Sequence, residues 1–256
     1  MASTARSIET FGDDITVCIC TFNSADTLQV CLASIQRGLS SSRLVVVDHD
    51  SSDGSVKLAK AFGCDIFTEK VGLGRARQLC FDVTRSMYIA FVDSDAQILR
   101  PDFFHQAIRL LRDPSVGAIV GMAIGHKMAY GLPASLLVLR KRDFEGRIIP
   151  DEIDARETYY IQHRLSSLNL RTVYLADTIV HTSRYRKRKA EWEGANTRIA
   201  AGISARELSF CFKVMVLMSI NSRSVRNLAY VPILYLKFLS GFVEPEKWRR
   251  LERTID

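Results

Sequence analysis

The stretch YIAFVDSDAQI at 88–98 is the most informative part of the sequence, because an apolar run ends there in two carboxylates separated by one small residue. Ala90, Phe91 and Val92 predict a buried strand, and Asp93 and Asp95 follow at its carboxyl end. Side chains alternate along an extended chain, so both carboxylates can project the same way. Two neighbouring negative charges repel each other unless a cation, a proton or open water relieves the repulsion. Mg2+ and Mn2+ are cations that prefer such oxygen ligands. A solvated turn would explain the same residues.

Around this stretch, apolar runs alternate with amphipathic stretches. The predicted strands lie at 15–20, 44–47, 64–67, 88–92 and 116–124, and the predicted helices at 25–38, 54–62, 74–84 and 101–112. This alternation predicts an α/β fold with a mostly parallel sheet flanked by helices. Ligands of such sheets bind at the carboxyl ends of the strands. Asp48 and Asp93 both end strands, so we expect them to face one crevice.

The pattern weakens after Gly125, and residues 125–149 are predicted to be rich in loops. A helix at 155–168 and a strand from 171 to His181 follow, and the remainder is helical. The chain has 256 residues, of which 47% are hydrophobic, so it can bury a full core. We therefore predict one domain at 14–200 and a helical C-terminal segment at 201–256.

Cysteine usage and the first residues indicate a cytoplasmic protein. The six cysteines lack paired spacing, and Cys18, Cys20 and Cys80 lie in apolar runs, where a free thiol behaves as a small hydrophobe. Reduced thiols are expected. The opening MASTARSIETFGDD has no apolar core, so no cleavable signal peptide is expected.

The formal net charge of +7 is concentrated in two clusters, at 184–189 and at 247–250. Such clusters suit an anionic partner, although a solvated helical face would also carry them. Nucleic acid is not expected as a partner, because no recognition motif or aromatic-interleaved basic sheet accompanies the charge.

Four stretches follow one another in an order that resembles glycosyltransferase family 2. They are ITVCICTFN at 15–23, VVVDHDSSDGS at 45–55, VGLGRARQ at 71–78 and FVDSDAQI at 91–98. The ordered set is more specific than any one of its parts. The resemblance covers residues 14–200 and implies a GT-A fold. It also implies transfer of a sugar from a nucleoside diphosphate sugar to a glycan or lipid-linked acceptor, by an inverting mechanism.

The resemblance also implies the nucleoside site. Thr21, Phe22, Asn23 and Asp48 would hold the nucleoside. A carboxylate at a strand end can accept a hydrogen bond from a base N–H or a ribose hydroxyl, and Phe22 can flank the base. A turn or helix cap is the alternative role for Asp48, and it is the role we assign to Asp53.

The same resemblance implies a donor and metal site. Arg77 would contact the donor, with a structural ion pair as the alternative. Asp95 would bind Mn2+ or Mg2+, and Asp93 would contact both the ribose and the metal, so that charge on the departing diphosphate is neutralised. His181 matches a late histidine that several members use as a metal ligand, although a histidine at a strand end can also be purely structural.

One position departs from the family pattern. Members usually carry Glu-Asp at the start of the helix after the variable region, with the aspartate as the base, but Thr158 occupies that position here. A base must lie within hydrogen-bond reach of the acceptor hydroxyl. The substitutes that lie near are Asp151, Glu152, Asp154 and Glu157, of which we favour Glu157.

The C-terminal segment contains apolar stretches at 208–220 and 228–243. Both are shorter than the roughly 20 residues that a spanning helix needs. Lys213 and Lys237 interrupt these stretches, and a tryptophan and two arginines follow the second one at 248–250. This combination suits helices that lie in a membrane interface. Helices that pack on the core are the alternative. We expect a cytoplasmic protein, peripheral on the cytoplasmic face of the membrane if these helices bind lipid.

Two other functions share parts of this pattern. A non-catalytic nucleotide-sugar binding protein would explain Thr158. A sugar nucleotidyltransferase would share the nucleotide crevice and the metal, but the chain lacks a Gly-rich triphosphate loop near its first strand. The sequence does not reveal the nucleotide, the sugar or the acceptor.

Overall fold

The computed structural model describes residues 14–126, 131–182, 190–221 and 225–248. The strands are β1 (Ile15–Thr21), β2 (Arg43–Asp48), β3 (Asp65–Thr68), β4 (Tyr88–Val92), β5 (Ala96–Ile98), β6 (Val116–Ala123), β7 (Leu136–Arg140) and β8 (Arg171–His181). The helices are α1 (Ala25–Gly38), α2 (Ser55–Ala61), α3 (Leu73–Val83), α4 (Phe103–Leu111), α5 (Glu157–Ser167), α6 (Ala190–Ala201), α7 (Ala205–Asn221), α8 (Val225–Val243) and α9 (Pro245–Trp248). The basic residues at 184–189 and 249–250 lie outside the described residues.

The described strands form one eight-stranded sheet in the order β3-β2-β1-β4-β7-β6-β8-β5. The neighbours from β3 to β4 are all parallel, as predicted from the alternating pattern. Strand β7 pairs antiparallel with both β4 and β6, and β5 pairs antiparallel with β8. The sheet is therefore mixed, with helices on both faces.

Strand β7 corrects the prediction of a loop-rich region at 125–149. Its five residues are all buried, because it lies between two other strands inside the sheet. A short apolar run between polar segments carries too little periodicity to identify a strand from sequence. Strand β5 has only three residues and was not predicted for the same reason.

An apolar layer covers each face of the sheet, and β1 contributes to both. Val17 and Ile19 pack with residues of α1 and α4 on one face. Cys18 packs on the other face with residues of α3 and α5. This alternation follows from the two-residue period of an extended strand. Burial on both faces explains why the parallel strands are apolar throughout.

The C-terminal helices pack on one another and on α6. A Cβ atom on Gly241 of α8 would lie 1.8 Å from the carbonyl oxygen of Glu191 in α6, so the two helix backbones are in direct contact. A small apolar cluster of Cys211, Phe238 and Phe242 joins α7 to α8. In the part of the chain that the structure describes, no helix is long and apolar enough to cross a membrane.

One ion pair connects α7 with the beginning of α5. Arg156, the residue before α5, donates to Glu207 at 2.5 Å. Its backbone is in the left-handed region, with φ at +65°. Non-glycine residues adopt that conformation only where the surroundings hold them there.

Candidate active site

The loops after β1, β2 and β4 meet at the carboxyl edge of the sheet, where the crevice is predicted. Thr21 and Asp48 are paired in register, so β1 and β2 end at the same level. Strand β4 runs parallel to β1 and is followed directly by Asp93. Asp48 and Asp93 thus lie at the ends of two parallel strands on one edge of the sheet, and that they face one crevice stays a prediction.

Asp48 organises the loop that follows β2. Its side-chain oxygens accept hydrogen bonds from Ser51, at 2.8 Å from the backbone nitrogen and at 2.6 Å from the hydroxyl. The backbone nitrogen of Asn23 in turn donates to the Ser51 hydroxyl at 2.8 Å, and Asn23 Oδ1 accepts from Ser52 at 2.9 Å. These bonds fix the loops after β1 and β2 to each other. Each carboxylate oxygen of Asp48 retains capacity for a second hydrogen bond.

Thr21 and Phe22 lie beside this loop pair. Thr21 is 4% exposed, and its hydroxyl makes no hydrogen bond with any described residue. Buried hydroxyls normally have a partner, because leaving one unpaired costs free energy. The ring of Phe22 meets the ring of His49 edge to face, with centroids 5.5 Å apart.

Glu69 holds the loop that carries VGLG. Its carboxylate is buried and accepts hydrogen bonds from the backbone nitrogens of Val71 and of Gly72, the latter at 3.0 Å. The two glycines of this loop allow close packing against residues 153–154. A Cβ on Gly72 would lie 2.9 Å from Asp154 Oδ1, and one on Gly74 would lie 2.1 Å from the carbonyl oxygen of 153.

Arg77 projects from α3 between two carboxylates. Its Nη2 lies 3.2 Å from Asp93 Oδ1, and its Nε lies 3.3 Å from Glu157 Oε1. The guanidinium also lies over the ring of Phe91, 5.4 Å from its centroid. Burial lowers the pKa of Arg77, but the charges of Glu157 and then Asp93 outweigh burial and raise it. Arg77 thus forms ion pairs within the protein, and its contact with the donor stays a prediction.

Asp95 and His181 meet across the β5–β8 pair. His181 lies opposite Ala96 in the register, and its Nδ1 is 3.1 Å from Asp95 Oδ1. The carbonyl oxygen of Asp95 accepts hydrogen bonds from Thr182, at 2.8 Å from the nitrogen. Both side chains remain partly exposed, at 25% for Asp95 and 40% for His181.

The acidic residues before α5 differ in their surroundings. Asp151 is exposed and pairs with Arg75 at 2.7 Å and also with Arg147. Glu152 is exposed, and Asp154 is partly buried. Unlike Asp151, neither makes a hydrogen bond or ion pair with a described residue.

Comparison with known sequences assigns the chain to a family. The sequence profile described as Glycosyl transferase family 2 matches residues 16–164, more than half of the chain. The chain belongs to glycosyltransferase family 2. An uncharacterised protein of Mycobacterium tuberculosis (strain CDC 1551 / Oshkosh) is 35% identical over 123 residues, which are 45% of this chain and 38% of that protein. The match thus spans about two fifths of the length of this curated relative.

Solved structures show the same fold. The mannosyltransferase PcManGT of Pyrobaculum calidifontis, in complex with GDP-Man and Mn2+, has a TM-score of 0.62 at 16% identity, over 93% of this chain and 76% of that chain. Glucosyl-3-phosphoglycerate synthase of M. tuberculosis, in complex with Mn2+, UDP and glucosyl-3-phosphoglycerate, has a TM-score of 0.59 at 18% identity, over 75% of this chain and 81% of that chain. The GT-A fold expected for this family 2 chain is confirmed.

Asp95 and His181 of this family 2 chain fit a divalent ion. Two adjacent ligands of an octahedral ion at about 2.1 Å lie about 3.0 Å apart. Asp95 Oδ1 and His181 Nδ1 lie 3.1 Å apart, a distance that fits this spacing and is also that of the hydrogen bond between the two side chains. The described residues contain no group of three His, Cys, Asp or Glu side chains that could hold a metal ion alone. An ion at this pair would need further oxygen ligands from a bound diphosphate or from water.

Two site residues of this family 2 chain escaped sequence reasoning, Glu69 and His49. His49 follows Asp48 directly, and its Nδ1 lies 3.7 Å from Glu69 Oε2. A carboxylate placed two and three residues before the amides of Val71 and Gly72 is a local signal that could have identified Glu69. The contact of His49 with Phe22 joins two different strand ends, and no local signal predicts it.

Proposed function

We propose that the chain is a metal-dependent, inverting glycosyltransferase of the hexosyltransferase type. It would transfer a hexose from a nucleoside diphosphate sugar to a glycan or lipid-linked acceptor. The observation that carries this proposal is the Asp95–His181 pair, in which two side chains able to ligate a metal lie 3.1 Å apart, two residues after Asp93 at the sheet edge. The complexes of the structural neighbours with GDP-Man, UDP, Mn2+ and Mg2+ support a diphosphate donor and a divalent ion.

The nucleoside would bind where the loops after β1 and β2 meet. The unpaired Thr21 hydroxyl and the remaining acceptor positions of Asp48 supply hydrogen-bonding groups there. The ring of Phe22 supplies an apolar face for a base, and Asn23 holds the loop in place. Arg77 would contact the donor from beside Asp93, whose carboxylate lies 3.2 Å from its Nη2.

Asp95 and His181 would hold the ion, with Asp93 beside them contacting ribose and metal. When bound, Mn2+ or Mg2+ supplies positive charge where negative charge develops on the leaving diphosphate. The protein's own part is to fix Asp95 in position. The bonds from Thr182 to the Asp95 carbonyl, and from Ser94 to Ser24 at 3.0 Å, provide that support.

Asp154 is the residue that we propose as the base in place of the aspartate missing at Thr158. It would accept the proton of the acceptor hydroxyl as that oxygen attacks the sugar. Asp151 and Glu157 are engaged with arginines, and Glu152 is exposed to solvent. Asp154 combines partial burial with the lack of an ion partner among the described residues, and it lies against Gly72 beside the crevice.

Calorimetric titration of UDP- and GDP-linked hexoses, with and without Mn2+, tests the donor site. We expect Mn2+-dependent binding by the wild type and its loss in Asp95→Asn. Asp50→Asn is the matched control, because Asp50 is an exposed carboxylate of the neighbouring loop that pairs with Lys70. Unchanged Mn2+-dependent affinity in Asp95→Asn would refute the metal site.

Turnover measurements separate catalysis from binding. Asp154→Asn should lower the transfer rate by about 100- to 10,000-fold with donor affinity nearly intact, as loss of a general base does. Glu152→Gln is the control, since Glu152 is a neighbouring acid without an ion partner among the described residues. A wild type that binds donor but transfers no sugar to any of a broad acceptor panel would favour the binding-protein alternative that Thr158 suggests.

A membrane surface is the further partner that we propose, with α8 as the contact. Its outward side carries apolar residues at helical spacing, Ile233, Leu236 and Val243, which are 47%, 67% and 76% exposed. Lys237 and Lys247 are also exposed and would meet anionic headgroups. Apolar burial together with charge attraction is the way an interfacial helix binds. A lipid-linked acceptor at the cytoplasmic face would be presented at such a surface.

A further inference from the structure

Arg77 is shared by two carboxylates that differ in their access to water. The side chains of Arg77 and Glu157 are almost fully buried, at 6% and 7% exposed, whereas that of Asp93 is 38% exposed. A buried carboxylate needs a compensating charge in the protein, but a half-exposed one is also stabilised by solvent. Glu157 therefore depends on Arg77 more than Asp93 does.

The position of Glu157 is set by elements outside the donor crevice. Glu157 is the first residue of α5, and it follows Arg156, whose left-handed backbone turns the chain into the helix. Arg156 is in turn held by its ion pair with Glu207 of α7. Glu157 thus provides Arg77 with a partner that is held by α5 and, through Arg156, by α7.

The orientation of the guanidinium follows from that partner. A guanidinium is planar, so its ion pair with Glu157, which lies 3.3 Å from Nε without forming a hydrogen bond, and its stacking on Phe91 together restrict where Nη2 points. Nη2 points at Asp93, at 3.2 Å. Without Glu157, the full charge of the buried Arg77 would be left to Asp93 alone.

We propose that Glu157 is a positioning residue, which acts through Arg77 to keep Asp93 available to the metal-bound donor. By sharing the charge of Arg77, Glu157 weakens the hold of Arg77 on Asp93 and leaves that carboxylate free to turn towards a ribose or a metal. This inference rests on the proposed function, because Asp93 matters here only if a nucleoside diphosphate and an ion bind beside it.

Titration of the full chain with UDP and with GDP, each with and without Mn2+, tests the inference. In Glu157→Gln, the undivided charge of Arg77 holds Asp93, so the gain in affinity on adding Mn2+ should fall by about tenfold. Binding without Mn2+ should fall by less, because it loses only the contact of Asp93 with the ribose. Glu157→Asp keeps the charge and should restore most of the Mn2+-dependent gain, which supplies a second variant should Glu157→Gln fold poorly.

Asp143→Asn is the matched control, because Asp143 forms a similarly buried ion pair with Arg140 at 2.7 Å elsewhere in the chain. It should lower stability without changing the gain from Mn2+. A Glu157→Gln variant with an unchanged gain from Mn2+ would overturn the positioning role, whether or not its turnover falls. Should the wild type itself show no Mn2+-dependent binding of either nucleotide, the proposed function fails as well.

Discussion

Replacement of Thr21 by valine should make the protein more stable and a poorer binder of nucleotides. The Thr21 hydroxyl is buried at the end of β1 and makes no hydrogen bond with the described residues. A buried unpaired polar group costs about 1–3 kcal/mol. Valine has nearly the same shape and an equal preference for strands, so Thr21→Val removes that cost without leaving a cavity.

At the low end of that range, Thr21→Val should raise the free energy of unfolding by about 1 kcal/mol. For a chain of this size, that corresponds to an increase in Tm of about 2–4 °C. If the hydroxyl contacts the nucleoside, the lost hydrogen bond is worth about 0.5–1.5 kcal/mol, which makes nucleotide binding about 2- to 12-fold weaker. Urea denaturation followed by circular dichroism gives the first quantity, and calorimetry with UDP and GDP gives the second.

Thr16 provides a matched control on the same strand. It is also buried, but its hydroxyl lies 2.7 Å from that of Ser86. Thr16→Val should therefore destabilise the protein by about 1 kcal/mol, the opposite sign. A Thr21→Val variant that loses as much stability as Thr16→Val would refute the reasoning about the unpaired hydroxyl. A stabilised variant with unchanged nucleotide affinity would refute the contact with the nucleoside alone.

Three further predictions concern the loop after β2 and the C-terminal helices. Asp48→Asn should weaken binding of free nucleotide by about 10-fold or more, because a hydrogen bond to a charged group is lost. Calorimetry measures this affinity, and Ser51→Ala is the control. An equal loss of affinity in Ser51→Ala would show that Asp48 acts only by holding its loop. Gly241→Ala must move a Cβ from 1.8 Å to at least 3.0 Å from the α6 backbone, so thermal melting should show a loss of about 3 kcal/mol that Ser240→Ala does not share. A single melting transition in both variants would argue against separate folding of the predicted segments 14–200 and 201–256. Leu236→Glu should reduce flotation with anionic liposomes. Added salt should weaken liposome binding by the wild-type protein only in part, because apolar contacts persist. A wild-type protein that stays in the soluble fraction would contradict the membrane contact.

The parallel half of the sheet could be predicted because its strands are continuous apolar runs separated by amphipathic helices. The antiparallel strand β7 could not, since its four consecutive apolar residues between polar segments fit several structures. The same limit applies to the site. Asp93 and Asp95 are visible as a local motif, whereas His181 could be placed with Asp95 only through the family resemblance, because the two residues are 86 positions apart.

The ion pair between Arg77 and Glu157 could not be predicted from the sequence. It brings α3 to the start of α5, and nothing near either residue in the chain signals the contact. From the sequence Glu157 was the favoured base, because it begins the helix where the family pattern has its acids. The geometry supports a different division of roles among the same four acids, and turnover measurements decide between the two.

The Arg156–Glu207 pair limits how this protein can be shortened. A version that ends before residue 207 would lose the carboxylate that holds Arg156, a half-buried cation placed directly before Glu157. The left-handed backbone at Arg156 would then lack one of the contacts that maintain it. Such a truncation would disturb the crevice as well as remove α7 and α8. Engineering that aims to separate the helices from the catalytic core should therefore replace surface residues of α8 and keep the chain intact through α7.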